Sequence, residues 1–214
     1  MNKAQSGFTL VEIAIALVII GLLLGGVLKG QELIVQAKTK NIVNDINGVS
    51  TAVYGYQDRY KKLPGDDDRA EGRWTAPATK KGDGNGAVGA ANVASFLDCT
   101  LPPSADGENC RFWQHLRLSG FLTGEAGSAL PPQNAVGGAI QVQNGALELA
   151  GLTLCTPNLP GKIAIAIDAQ LDDGHPGTGQ VRSTNDATKL NTKLADNDVY
   201  KEDGSTVYAV CKTL

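Results

Sequence analysis

Three sets of side chains in this 214-residue chain have the types and spacing to do chemistry. The first is one carboxylate. Glu12 is the only ionisable side chain between Phe8 and Leu28, and from Ile13 onward that segment is an unbroken run of apolar residues and glycines. A carboxylate inside a membrane helix costs about 2.5 to 3.5 kcal/mol on insertion scales. It must therefore lie near the interface, take a proton or find a partner. Cleavage after Gly7 would create an ammonium group on Phe8, a suitable partner for Glu12 of a neighbouring subunit. The second set is Asp66, Asp67, Asp68, Asp83 and Asn85, which flank one loop and offer the hard oxygens that calcium takes. The EF-hand pattern is not met, because Ala87 and Val88 stand where a ligand and a glycine belong and Ala94 replaces the final Glu. Calcium and a merely solvated acidic loop are both open readings. The third set is Cys99, Cys110, Cys155 and Cys211, which contain no C-x-x-C and are accompanied by two histidines, so metal-binding spacing is absent.

Other motifs fail on inspection. Gly84-Asn85-Gly86-Ala87-Val88-Gly89 matches G-x-G-x-x-G, but no strand precedes it. Gly174-His175-Pro176-Gly177-Thr178-Gly179 has the glycine spacing of a phosphate loop, yet Gln180 replaces the required Lys. There is no G-x-S-x-G. His115 falls on a short helix and His175 in a turn, each an ordinary polar residue by default. No set of acid, base and nucleophile emerges, so no catalytic residue, cofactor site or enzymatic activity is expected. With 19 Lys and Arg against 22 Asp and Glu, the net charge is -3. A basic face for direct nucleic-acid binding is not expected from that balance.

The elements that must position these groups follow from periodicity. Phe8 to Leu28 is long enough as a helix to cross the ~30 Å hydrocarbon core of a bilayer. Ile42, Ile46, Val49, Val53, Tyr56, Tyr60 and Leu63 then recur four and three apart, an amphipathic stripe that predicts a helix packed on a globular head. A coiled coil is the weaker alternative, since clear flanking charge pairs are missing. Leu63-Pro64-Gly65 ends the helix near residue 62. Residues 64 to 110 read as loop with short helical pieces, including Pro102-Pro103. Phe112 to Leu118 predicts a short helix stopped at Gly120, with Phe112, Trp113 and Leu116 inward. Ala139 to Gln143 and Ala146 to Leu149 alternate around Asn144-Gly145, which predicts a hairpin turning there. A second hairpin is predicted at Asp203-Gly204, between Asp198 to Tyr200 and Thr206 to Cys211. Lys162 to Leu171 fits a strand or a helix equally.

Gly7-Phe8-Thr9-Leu10-Val11-Glu12, followed by Ile13-Ala14-Ile15-Ala16-Leu17-Val18-Ile19-Ile20-Gly21, resembles the amino terminus of the type IV pilins and of the type II secretion pseudopilins. The resemblance covers roughly the first 60 residues firmly and the rest loosely. It implies that a prepilin peptidase cuts between Gly7 and Phe8, that Phe8 is then methylated, and that Glu12 is the subunit-docking acid. One departure is that many pilins carry Pro about one turn past the apolar run, where this chain has Lys29 between Gly26 and Gly30. Those filaments often melt the helix there, and Gly21, Gly25, Gly26 and Gly30 each weaken a helix by roughly 1 kcal/mol relative to Ala, so local melting is open without proline.

A head delivered across the inner membrane meets an oxidising compartment, where four cysteines allow three pairings. The expected pairs are Cys99 with Cys110, closing a Pro-rich loop, and Cys155 with Cys211, tying the last strand to the sheet; the second resembles the carboxyl-terminal disulfide of many pilins. The expected fold is α+β, a long amino-terminal helix on a small, loop-rich antiparallel sheet. Its parts are residues 1–7 as leader, 8–28 as membrane or filament-core helix, 29–63 as the helix packed on the head, and 64–214 as the head. The expected role is a pilus subunit, inserted singly in the inner membrane and then assembled into a homo-oligomeric helical filament at the cell surface. Its partners would be the peptidase and methyltransferase, an assembly platform and its ATPase. Alternatives are a pseudopilin in a periplasmic fibre, a minor pilin with an adhesive head, or a membrane-tethered binding protein that never polymerises and leaves Glu12 unexplained.

Overall fold

In the computed structural model, residues 9–100 and 107–214 are described. The chain divides into two compact units, Met1–Ala37 and Lys38–Leu214. Helix α1 spans Leu10–Tyr60. Within the first unit every described residue up to Gln31 except Gly30 is exposed, including the large apolar side chains from Leu10 to Leu28. This helix is long and apolar enough to cross a membrane. It runs unbroken through Gly21, Gly25, Gly26 and Gly30, none of which has a packing neighbour where a Cβ would stand.

The second unit begins where the stripe starts to be covered. Thr39, Ile42, Val43, Ile46, Val49, Ala52, Val53 and Tyr56 are buried, the three-and-four spacing of one helix face. Tyr60 and Leu63 are only half-buried. The helix stops at Tyr60, two residues before the predicted end, because Lys61 takes φ +56° while its N–H bonds to the Gln57 carbonyl at 2.8 Å. That is a left-handed helix cap supplied by a residue other than glycine.

Helix α2 (Ala70–Arg73) is a single turn, and α3 (Glu108–Leu118) contains the predicted short helix with Phe112, Trp113 and Leu116 fully buried. Gly120, at φ +79°, follows it as the predicted stop. The strands are β1 (Gln141–Ala146), β2 (Leu149–Pro160), β3 (Val181–Thr184) and β4 (Val207–Thr213). They form one antiparallel sheet in the order β1-β2-β4-β3. Helix α4 (Gly161–Leu171) packs on β2, β3 and β4, and α3 packs on β1. The segment that fitted strand or helix is thus a helix, with Ile163, Ala164, Ile167 and Asp168 on its buried side.

Two hairpin expectations need correction. The β1-β2 connection turns at Leu147-Glu148, both at positive φ, rather than at Asn144-Gly145. Gly145 lies inside β1, at a register shift and φ +77°, where a Cβ would come within 2.8 Å of the Asn92 side chain. The glycine is needed for this bulge. Leu147 tolerates its turn conformation because its side chain is fully buried beside Leu149, Leu190 and the Cys155–Cys211 pair. The Asp203-Gly204 turn forms, with Asp203 accepting from the N–H groups of Ser205 and Thr206. Asp198 to Tyr200 nevertheless form no strand; β4 pairs with β2 and β3 instead.

Candidate functional site

Among the described residues, the exposed apolar surface on the start of α1 has one acid in it. Glu12 accepts hydrogen bonds from the Thr9 N–H and the Thr9 hydroxyl, both at 2.8 Å, and its own N–H donates to Thr9 Oγ1 at 3.3 Å. Thr9 and Glu12 make a reciprocal capping box, which satisfies amides the helix itself leaves open. In the single chain, therefore, the carboxylate is engaged at its own helix start. Thr-x-x-Glu ahead of an apolar run was the signal for this, and the docking reading had passed over Thr9. Gly7 and Phe8, the expected processing residues, lie outside the described residues.

The acidic loop divides between two structures. Asp66 is buried; its Oδ1 accepts from the Asn85 N–H at 3.0 Å and its Oδ2 from the Gly86 N–H at 2.8 Å. Glu108, in the first turn of α3, accepts from the N–H groups of Asp83 and Gly89, both at 2.9 Å. Oxygens of Asp66, Asp83 and Glu108 lie within 4.8 Å of one another. Burial raises the Asp66 pKa from its ordinary value, and the Asp83 and Glu108 carboxylates push the same way, against amide bonds from Gly86 and Gly84 that pull it down. Asn85 stays at the edge, bonded to Asp83 through its N–H and side-chain amide. Glu108 was missed because it stands far along the chain; its one local mark is a position at a helix start.

Asp67 and Asp68 are not in this cluster. Asp68 pairs with Lys62 at 3.0 Å. Asp67 is buried and accepts from the Tyr56 hydroxyl at 2.7 Å, from the Arg69 N–H at 2.9 Å and from Arg73. Burial would raise its pKa, but the Arg73 guanidinium, the Tyr56 hydroxyl and the Arg69 amide together hold it below the usual value. Arg73 also lies over the rings of Tyr60 and Trp74, at 4.3 and 5.0 Å from their centroids. His115 completes this buried knot. Its Nδ1 accepts from the Gly65 N–H at 3.0 Å and its Nε2 faces the Lys80 carbonyl at 3.1 Å, which requires the neutral tautomer with hydrogen on Nε2. The residue expected to be ordinary is thus fully buried and ties three segments together.

Cys99 is joined to Cys110 and Cys155 to Cys211. The second bridge links directly paired positions of β2 and β4. The Pro102-Pro103 stretch inside the first loop lies outside the described residues. Neither glycine motif forms a phosphate site. Gly84 donates its N–H to the Asp66 carbonyl and Gly86 to the Asp66 carboxylate, and amides of the 174–181 segment bond the carboxylates of Asp168, Asp172 and Asp173. Both loops direct amides at the chain's own anions, which would repel a phosphate.

Comparison with known proteins gives two findings. Residues 2–28 match the family model described as the prokaryotic N-terminal methylation motif. The solved structure of the major type IV pilin of Clostridium difficile is similar over 83% of this chain and 96% of that one, at 13% identity and a TM-score of 0.39. No curated protein matches.

Proposed function

Starting from a type IV pilin-like chain that carries the prokaryotic N-terminal methylation motif, we propose that it is the structural subunit of a type IV pilus filament. In this reading the precursor is held in the inner membrane by residues 8–28, cut after Gly7, methylated on Phe8 and polymerised by packing those apolar segments against one another. The observation that carries it is Glu12 set alone in an exposed apolar helix face that nothing in the described chain covers. Extraction from lipid is offset by helix packing between subunits, and an unpaired carboxylate in that packing would be costly, so Glu12 selects the register in which it meets the new amine of Phe8. Head-to-tail contacts that do not close build a helix of subunits. An ATPase and a membrane platform would supply the work, since no nucleotide site is assigned to this chain. The role is structural rather than catalytic. A calcium ion is proposed, separately, at Asp66, Asp83 and Glu108, which together supply three of the six to eight oxygens it takes; Asp67 and Asp68 lie outside that cluster, Asp67 beside Tyr56 and Arg73 and Asp68 beside Lys62.

The test is electron microscopy of sheared surface filaments, with mass spectrometry of their subunit, in wild-type cells and in Glu12→Leu. Wild-type filaments built of this chain, and membrane-retained precursor without filaments in the variant, are expected. Normal filaments from Glu12→Leu would refute the docking role, and a wild-type fibre confined to the periplasm would favour a pseudopilin.

A further inference from the structure

The segment after α4 is folded around three carboxylates, and one of them is completely buried. Asp168 Oδ2 accepts from the Tyr200 hydroxyl at 2.6 Å, and Tyr200 in turn lies 2.6 Å from Ser183 Oγ of β3. Asp168 Oδ1 accepts from the Gly174 N–H at 3.1 Å. Asp172 accepts from the N–H groups of Gln180 and Val181, and Asp173 from the His175 N–H and the Thr178 hydroxyl. Glycines make this closure possible. At Gly179, φ +69°, a Cβ would strike the Asp172 carboxylate, and at Gly177 one would strike the Ala195 carbonyl at 2.4 Å. Oxygens of Asp168, Asp172 and Asp173 lie within 4.8 Å of one another.

No ion pair among the described residues includes any of the three. The cations nearby are committed elsewhere. Arg182 of β3 donates to the Gly179 and Leu147 carbonyls, and Lys193 donates to the Gly177 carbonyl and pairs with Asp196. Of the other strands packed on α4, β2 has no ionisable side chain, and β4 carries Tyr208, whose ring is 5.0 Å from that of Tyr200, and Lys212. His175 donates its backbone N–H to Asp173 and its ring also acts on that carboxylate through charge, favouring the ionised form of Asp173.

We propose that Asp172–Gln180 is a pH-operated latch, closed on α4 and β3 while Asp168 holds a proton and released as Asp168 ionises beside Asp172 and Asp173. The Ser183-Tyr200-Asp168 chain accommodates either state, because each hydroxyl can donate in either direction. The ionised state leaves three like charges within 4.8 Å of one another, one of them buried and without an ion-pair partner among the described residues. Burial, reinforced by Asp173 and Asp172 and opposed by Tyr200 and the Gly174 amide, raises the Asp168 pKa to about 6. A group whose pKa is raised by closure favours closure fully below its open-state value near 3.9, and that preference fades as pH rises through about 6.

Hydrogen exchange of the full chain in detergent, read on the peptide covering residues 172–181 and corrected for intrinsic pH dependence, tests the latch. Protection in the wild type is expected to fall about tenfold between pH 5 and pH 7.5, and to become pH-independent in Asp168→Asn. Tyr200→Phe, which removes a hydrogen bond favouring the ionised form, should keep the transition and move its midpoint upward. A flat wild-type profile, a transition that survives in Asp168→Asn, or a midpoint unmoved or lowered in Tyr200→Phe would each overturn the proposal. The last measurement decides the matter if Asp168→Asn does not fold.

Discussion

His115 joins the turn after α1, the Lys80 strand of loop and α3 through two ring nitrogens, and it can do so only while neutral. Burial lowers its pKa to about 4, overriding the Lys80 carbonyl and Asp67, which favour the charged form. A depressed histidine contributes stability that is complete above the unfolded value near 6.5 and lost as pH falls toward 4, an amount of about 3 kcal/mol. Urea unfolding of the full chain should therefore show the wild type losing about that much relative to His115→Gln between pH 6.5 and pH 4; parallel profiles would contradict the neutral knot. The Asp66, Asp83 and Glu108 cluster makes a second residue-scale prediction. In chelator at neutral pH, Asp83→Asn relieves like-charge contact and should melt higher than the wild type. Millimolar calcium should reverse that order by stabilising the wild type, and a wild-type melting curve indifferent to calcium would remove the cation from the account.

Among the elements, α4 shows where a sequence pattern runs out. Ile163, Ile165 and Ile167 alternate as a strand would, but burial of Ile163, Ala164, Ile167 and Asp168 is helical, and the choice was made by the sheet beneath it. Gly161 is the sharper constraint, since a Cβ there would stand 1.9 Å from the Lys201 carbonyl. Gly161→Ala should cost about 2 to 3 kcal/mol through overpacking against backbone, whereas Lys162→Ala, next to it and exposed, should stay within about 0.5 kcal/mol. Thermal or urea unfolding distinguishes them, and equal stabilities would discount the close approach. The bridge between β2 and β4 closes the longer loop, with a separation of 56 residues against 11. Loop-closure entropy gives it about 4 kcal/mol against about 3 for Cys99–Cys110, so Cys155→Ser with Cys211→Ser should be the more destabilising pair. The α1 stripe was legible because one face repeats over several turns, whereas of the sheet only β4 and part of β1 were, because burial along β1 and β2 does not alternate and β3 is four residues long. The hairpin turn was not, because Leu147 adopts positive φ for the sake of a buried contact that the local pattern Asn144-Gly145 does not encode. Glu108 and Asp168 went unnoticed and His115 was read as ordinary for one physical reason: tertiary contacts, rather than their neighbours in sequence, set their environment.

For the whole molecule, part of the 42% hydrophobic content is the apolar run left exposed at the start of α1. In the proposed filament their surroundings are lipid before assembly and other copies of the chain afterwards. The capping box adds a condition to that exchange. Glu12 is bonded to Thr9 in the single chain, so docking replaces or supplements contacts it already has, rather than rescuing a bare charge. Loss of the leader would remove seven residues, Lys3 among them, leaving 207 residues with side-chain charges of 18 against 22, and would create the amine with which the proposed docking pairs Glu12. The most direct test of this account is the amino-terminal peptide of the subunit recovered from sheared filaments, read by mass spectrometry. The account predicts a chain beginning at Phe8 and carrying one added methyl group; filaments whose subunits still begin at Met1 would contradict it.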